Sequence, residues 1–308
     1  MKTAFNLWIF DGCVNEKDDL VTRLDLAGKT NFKNADMSLH QLDYAGSAML
    51  STDWRKWAEK IKIAADKNGI KLIQAHSSDS TYETGVERDR TVEIIKREIE
   101  ICGILGIPQI VVHSVFKSGN TWKQFRMQNK HFYESLIDTA EKHNVNILLE
   151  NSCFQNCRGM YYYTTAEFLL TTIDDLGAHP FINVCWDTGH AHMQGSNQYA
   201  ELTELGGRLK GLHAHDNWGD RDTHAMLFTG SCGFDVIISA LLDINYEGYF
   251  TLEDCAITPS NFARRPGYDK KDGSKKLADL PADILLQGTQ LSYEITKYML
   301  TQYDCFEE

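Results

Sequence analysis

The sequence predicts an α/β protein, a single closed (β/α)8 barrel running through residues 1–308. Strand-like apolar runs alternate with helix-like segments from end to end, and eight such units can be counted without a linker or a break in composition. Four of the later runs each deliver one acidic or histidine residue at their carboxyl end: Glu150 after NILL, Asp187 after INVCW, His213 after LKGL and Glu253 after YFTL. In a parallel barrel every strand points the same way, so these ends converge on one face. An open doubly wound sheet is the alternative. Its nucleotide-binding forms are disfavoured, because neither G-x-G-x-x-G nor G-x-x-x-x-G-K-[ST] follows the early strands.

The elements follow in order. FNLWIF (5–10) reads as the first strand, and SLHQLDYAG (38–46) carries the second. Residues 53–69 form an amphipathic helix with Trp54, Trp57, Ile61 and Ala64 or Ala65 on one side, stopped by Gly69. IKLIQAH (70–76) is a short strand, 91–105 a helix with Ile94, Ile95, Ile99 and Ile101 broadly periodic, and PQIVVHS (108–114) a strand. A long helix over 122–144 leads to NVNILLEN (144–151). PFINVCWDTG (180–189), LKGLHAHDN (209–217) and GYFTLED (248–254) complete the strands, with helices at 233–245 and 283–300. The longest stretch without clear structure, about 256–280, follows the last strand. It carries Arg264, Arg265, Lys270, Lys271, Lys275 and Lys276, which suits either a solvated loop or a lid that clamps an anionic substrate.

Bulk properties narrow the function classes. A net charge of −12 argues against general affinity for phosphate backbones, so a nucleic-acid partner is disfavoured. No apolar stretch is long enough for a membrane span. The opening MKTAFNLWIFDG, with one Lys and an early Asp11, fits a strand better than a secretory leader. The eight Cys are scattered, and several fall inside apparent core elements, which suits free thiols in a reducing cytoplasm better than disulfides. Cys153 and Cys157 make only a lone C-x3-C.

The strand ends carry the chemistry. Glu150, Asp187, His213 and Glu253 form an oxygen-rich ligand set with one imidazole, suited to one divalent cation, manganese ahead of magnesium, cobalt or zinc. Further histidines fall at the same rim: His76, His113, His190, His192, His215 and His224, with Asp222. A lone strand-end histidine is usually a hydrogen-bonded core residue. Several at one rim beside three carboxylates point to a polar active site. His40, His131, His143 and His179 fall in helix or loop contexts and read as incidental.

The succession ILLEN, WDTGHAHM, LHAHDN, a D-x-H downstream and FTLED resembles the xylose-isomerase-like TIM barrel superfamily. That group holds sugar isomerases and epimerases, inositol-catabolism enzymes and zinc-dependent abasic-site endonucleases, and the resemblance covers essentially the whole chain. It implies that Glu150, Asp187, His213 and Glu253 hold the metal and that Glu150 and Glu253 also act as acid and base. It points to His190 as a substrate contact. His215, His76, His113, Trp122 and Arg221 complete the expected substrate-binding set, with Asp222 and His224 either supporting the ligands or holding a second metal. Trp8, Phe154, Trp218 and Phe228 are candidate apolar walls. Two departures from the ketose epimerases stand out: Gly219 where they place an Arg, and Asn156 where they place an acid. The abasic-site nucleases use a larger ligand set, and His76, His113, Glu150, Asp187, His190, His213, Asp222, His224 and Glu253 match its types and order. The resemblance also implies that such barrels pair as homo-oligomers.

The expected activity is therefore isomerisation or epimerisation of a sugar, sugar phosphate or keto-inositol, by proton transfer beside a metal-bound carbonyl. β-Elimination, as in dehydratases or carbon-glycoside-cleaving enzymes, is the alternative on the same site, and abasic-site cleavage a further one. A metal-free binding or scaffold barrel is the reading from a different class.

Overall fold

Strand β1, Lys2–Asn6, begins a parallel sheet that continues through β2 (Asn34–Ser38), β3 (Lys71–His76), β4 (Gln109–Val111), β5 (Asn146–Glu150), β6 (Ile182–Asp187) and β7 (Leu209–His213), with β8 (Tyr249–Leu252) back beside β1. The structure is a computed structural model, and it describes residues 1–14, 16–40, 42–78, 86–117, 119–153, 162–254 and 280–308. The ring closes just past β7. The Ala214 N–H donates to the Thr251 carbonyl at 2.8 Å, and the Ala214 carbonyl accepts from the Glu253 N–H at 3.0 Å. The architecture is the (β/α)8 TIM barrel that the alternation of elements predicts.

The helices are α1 (Leu20–Ala27), α2 (Trp54–Asn68), α3 (Val86–Leu105), α4 (Trp122–His143), α5 (Ala166–Asp175), α6 (Thr188–Met193), α7 (Gln198–Leu205), α8 (Phe234–Asp243) and α9 (Ala282–Gln302). α2 stops where expected: Gly69 takes a left-handed conformation at φ 64° and donates its N–H to carbonyls of the last turn. α4 starts on a reciprocal cap in which Thr121 and Gln124 satisfy each other's backbone N–H. The main core lies between sheet and helices. Val111, Leu148 and Cys185 form a separate small apolar cluster. Each lies two residues before a strand-end polar residue and so shares its face of the strand, inside the barrel.

Two strands differ from expectation. The first covers only the start of the 5–10 run, because the Asn6 side chain accepts the Trp8 N–H at 3.0 Å and turns Leu7–Cys13 into a 3-10 helix. The second is NADMS, not 38–46. These five residues carry no β-branched or aromatic side chain, so propensity does not mark them, yet all are buried between β1 and β3. Pairing on both sides decides the strand. Among the described residues no helix is long and apolar enough to cross a membrane. The 256–279 loop, Phe154, Asn156 and Cys157 lie outside the described residues. Cys13, Cys102, Cys185, Cys232 and Cys305 are free thiols.

Candidate metal centre

Glu150, Asp187 and His213 are the last residues of β5, β6 and β7, and Glu253 directly follows β8. Strand alternation turns all four inward at one rim, where each is buried and their ligand atoms lie within 4.8 Å of one another. His213 Nδ1 sits 2.6 Å from Glu150 Oε1 and 3.5 Å from Glu253 Oε2. Three carboxylates this close repel one another in a low-dielectric site, and a divalent cation removes that repulsion. The donor chemistry fits such a cation.

Glu150 looks both ways. Its Oε2 faces His113 Nε2 at 2.7 Å and His76 Nε2 at 3.6 Å, so His76, His113 and Glu150 form a second group with metal-ligand spacing. A third group comprises His190, His215, Asp222 and His224. There Asp222 lies 3.2 Å from both His190 Nε2 and His224 Nε2. Asp222 and His224 thus stand with His190 and His215 in a group of metal-ligand spacing, beside the Glu150–Asp187–His213–Glu253 group. His190 is pinned at its other nitrogen, Nδ1, by the Asn151 carbonyl at 3.0 Å. His215 reaches Asp187 at 3.1 Å through Nε2 and stacks on His224 with ring centroids 4.0 Å apart.

The electrostatics reflect this crowding. Burial works against ionising Glu150, but the charge of His213 and the hydrogen bonds of His113, His213 and His76 outweigh it and hold the carboxyl well below the ordinary range. At Asp222 burial is likewise overcome, by His224 and His190. The histidines respond in the opposite direction. Burial disfavours their charge, yet Glu150 pushes His76 up to about 9 and Asp222 pushes His224 up to about 9.

A cavity of about 80 Å³ opens over the cluster, lined by Trp8, Ser38, His40, His76, His113, Glu150, His190, Asp222, His224 and Glu253. His40, which reads as incidental in the sequence, is on this wall, edge-on to His76 at 5.9 Å. Its position just past the true β2 was the available signal. Trp8 packs edge-on to His224 at 5.0 Å. Asp36 and Gln74 were missed altogether: both are fully buried, and Asp36 Oδ2 lies 3.1 Å from His213 Nε2. Two expected substrate contacts are elsewhere. Trp122 is drawn into an aromatic cluster with Tyr162, Phe125 and Phe168, at centroid distances of 5.2, 5.8 and 4.6 Å, because it opens α4 on the outer layer. Arg221 projects to the surface beside Asp220, and neither lines the described cavity. Trp218 and Phe228 are exposed, and His192 bonds Ser231 outside the cluster.

The chain is 30% identical over 183 residues to the uncharacterized protein y4fM of Sinorhizobium fredii, covering 57% of this chain and 53% of that one. It spans about half the length of that relative. It is 27% identical over 212 residues to a probable endonuclease 4 of Bacillus licheniformis, covering 59% and 67%. In three dimensions it resembles D-psicose 3-epimerase of Clostridium cellulolyticum H10, with a TM-score of 0.74, 16% identity and 97% and 99% of the two chains covered. Residues 30–276 match the profile of one family across the strand ends that build the cluster, and the chain belongs to the xylose isomerase-like TIM barrel family.

Proposed function

We propose that this protein is a divalent-metal-dependent sugar isomerase or epimerase that moves a proton beside a carbonyl. The observation that carries the reading is the convergence of Glu150 and Glu253 on His213 Nδ1, at 2.6 and 3.5 Å, beneath an open cavity. Two carboxylates that reach one small region from β5 and β8 suit a reaction in which one takes a carbon-bound proton and the other returns one. The full-length likeness of the fold to a ketose 3-epimerase accords with this reading.

Glu150, Asp187, His213 and Glu253 would hold the cation, which supplies Lewis acidity to the substrate carbonyl when bound. Glu150, ionised by its histidine neighbours, is fit to accept a proton. Return of the proton to the same carbon from the opposite side gives epimerisation, and delivery to the neighbouring carbon gives isomerisation. His76 and His113 orient Glu150 from the side away from His213.

The test is incubation of the manganese-loaded protein with pooled ketoses, aldoses and keto-inositols in deuterated water, with products read by NMR. Deuterium beside a carbonyl in one labelled sugar is the expected result. An unsaturated product would replace proton transfer by β-elimination, and no exchange in any pool would overturn the reading. A second reading, cleavage at abasic sites in DNA, is favoured by one observation: among the described residues four groups have metal-ligand spacing, three of them sharing Glu150. Incision of abasic duplex by the zinc-loaded protein would establish it. The net charge of −12 weighs against duplex binding.

A further inference from the structure

Asp36 is wholly enclosed, on β2, and its Oδ2 is held by two neighbours: His213 Nε2 at 3.1 Å and the Gln74 amide, which donates from Nε2 at 2.8 Å. Gln74 is itself steadied by Gln109 Nε2, which donates to Gln74 Oε1 at 2.9 Å. Space for Gln74 comes from Gly211, two residues before His213. A β-carbon there would lie 2.6 Å from Gln74 Oε1 and 2.7 Å from Leu148 Cδ1. The other Asp36 oxygen, Oδ1, is buried and takes no hydrogen bond. A carboxylate left half-satisfied in a barrel interior is costly to stability, so its placement calls for a role.

The role follows from donor and acceptor logic. His213 Nε2 has Gln74 Nε2 at 2.9 Å as well as Asp36 Oδ2 at 3.1 Å; an ionised carboxylate only accepts, so the contact with Asp36 puts a proton on His213 Nε2, with the Gln74 N–H given to Asp36. A neutral imidazole protonated there carries its lone pair on Nδ1, and Nδ1 is the nitrogen that faces Glu150 and Glu253. We propose that Asp36 is a positioning residue that fixes His213 as an Nδ1 metal ligand, with Gln74 and Gln109 holding Asp36 in register. The inference rests on the metal reading above and adds a residue to it that touches neither cation nor substrate.

Asp36→Asn separates this role from simple packing. The Gln74 N–H still needs an acceptor and claims the Asn oxygen. That oxygen is also the one that faces His213 Nε2, so the ring keeps an acceptor but loses the carboxylate's charge, and its hold on the Nε2 proton weakens. The experiment is a zinc titration of the full chain against a chromophoric chelator, for wild type, Asp36→Asn and Gln74→Met. It is paired with ¹⁵N–¹H spectra of the zinc-loaded, histidine-labelled proteins. Expected are a 10–100-fold weaker zinc affinity in Asp36→Asn, a smaller loss in Gln74→Met, and a His213 proton on Nε2 in the wild type. Should Asp36→Asn fail to fold, the wild-type tautomer and the Gln74→Met affinity still decide. A wild-type His213 proton on Nδ1, or unchanged affinity in the variants, overturns the proposal. A wild type that takes up no zinc overturns the metal reading itself, a result distinct from equal binding by all three proteins.

Discussion

Gly189 lies flat against the imidazole of His215: a β-carbon at Gly189 would sit 1.9 Å from His215 Cε1 and 2.4 Å from Nδ1. The glycine of the WDTGH segment therefore makes room for a ring that bonds Asp187 and stacks on His224. Gly189→Ala should push His215 off both partners and cost about 1–3 kcal/mol in chemical denaturation. In the double variant with His215→Ala, much of that cost should disappear. Additive losses in the double-mutant cycle would show that the two residues do not press on each other.

Metal uptake should release protons. His76 and His224 are raised to about 9 by the neighbouring carboxylates, so at pH 7.5 both are charged, and a cation that neutralises those carboxylates should expel their protons. Calorimetry of metal binding in two buffers of different ionisation heat should give a net proton release at pH 7.5. The release shrinks above pH 10, and the affinity falls as the pH is lowered. Buffer-independent heats would show that these histidines keep their charge state when the cation binds.

Glu98, fully buried on α3, accepts the Ser78 N–H at 3.1 Å and the Ser78 hydroxyl at 2.5 Å. Burial dominates over these bonds and pushes its carboxyl from 4.5 up to about 8. A raised acid holds its proton in the folded chain while the unfolded chain has lost it. The stability it contributes is full below pH 4.5 and is lost as the pH rises through about 8, by roughly 5 kcal/mol at most. Glu98→Gln should flatten this slope, so that the variant gains on the wild type from pH 5 to pH 8.5 in urea denaturation. Parallel curves for the two proteins would contradict the prediction.

Glu150→Gln and Glu253→Gln should each lower kcat by about 100-fold or more on whichever sugar exchanges deuterium, and the double variant should be inactive. Circular dichroism of each variant checks that the fold is kept. Substantial turnover by a folded, metal-loaded double variant would sink the two-carboxylate mechanism.

Much of this barrel is legible in the chain because period and polarity are local properties. NILLE and INVCWD read as buried parallel strands, and a polar residue closing each run marks the rim without reference to distant contacts. β2 is illegible for the opposite reason. Asn34–Ser38 has no strand-forming side chains, and its conformation comes from the neighbours on either side. Misplacing that strand hid Asp36 within it and made His40 look incidental. Trp122 and Arg221, expected as substrate contacts, lie outside the described cavity lining, because helix starts and loop tips can face the cavity or the solvent and spacing alone does not choose.

By itself the sequence determined the alternation, the barrel and the identity of the polar residues at the strand ends, since each of these depends on residues within one short run. Only the tertiary structure decided how these side chains are shared: Glu150 between His213 and His113, Asp222 between His190 and His224, and His213 held from behind by Asp36. Those pairings join side chains from different strands and loops. They are set by barrel closure and side-chain direction, which no single segment contains.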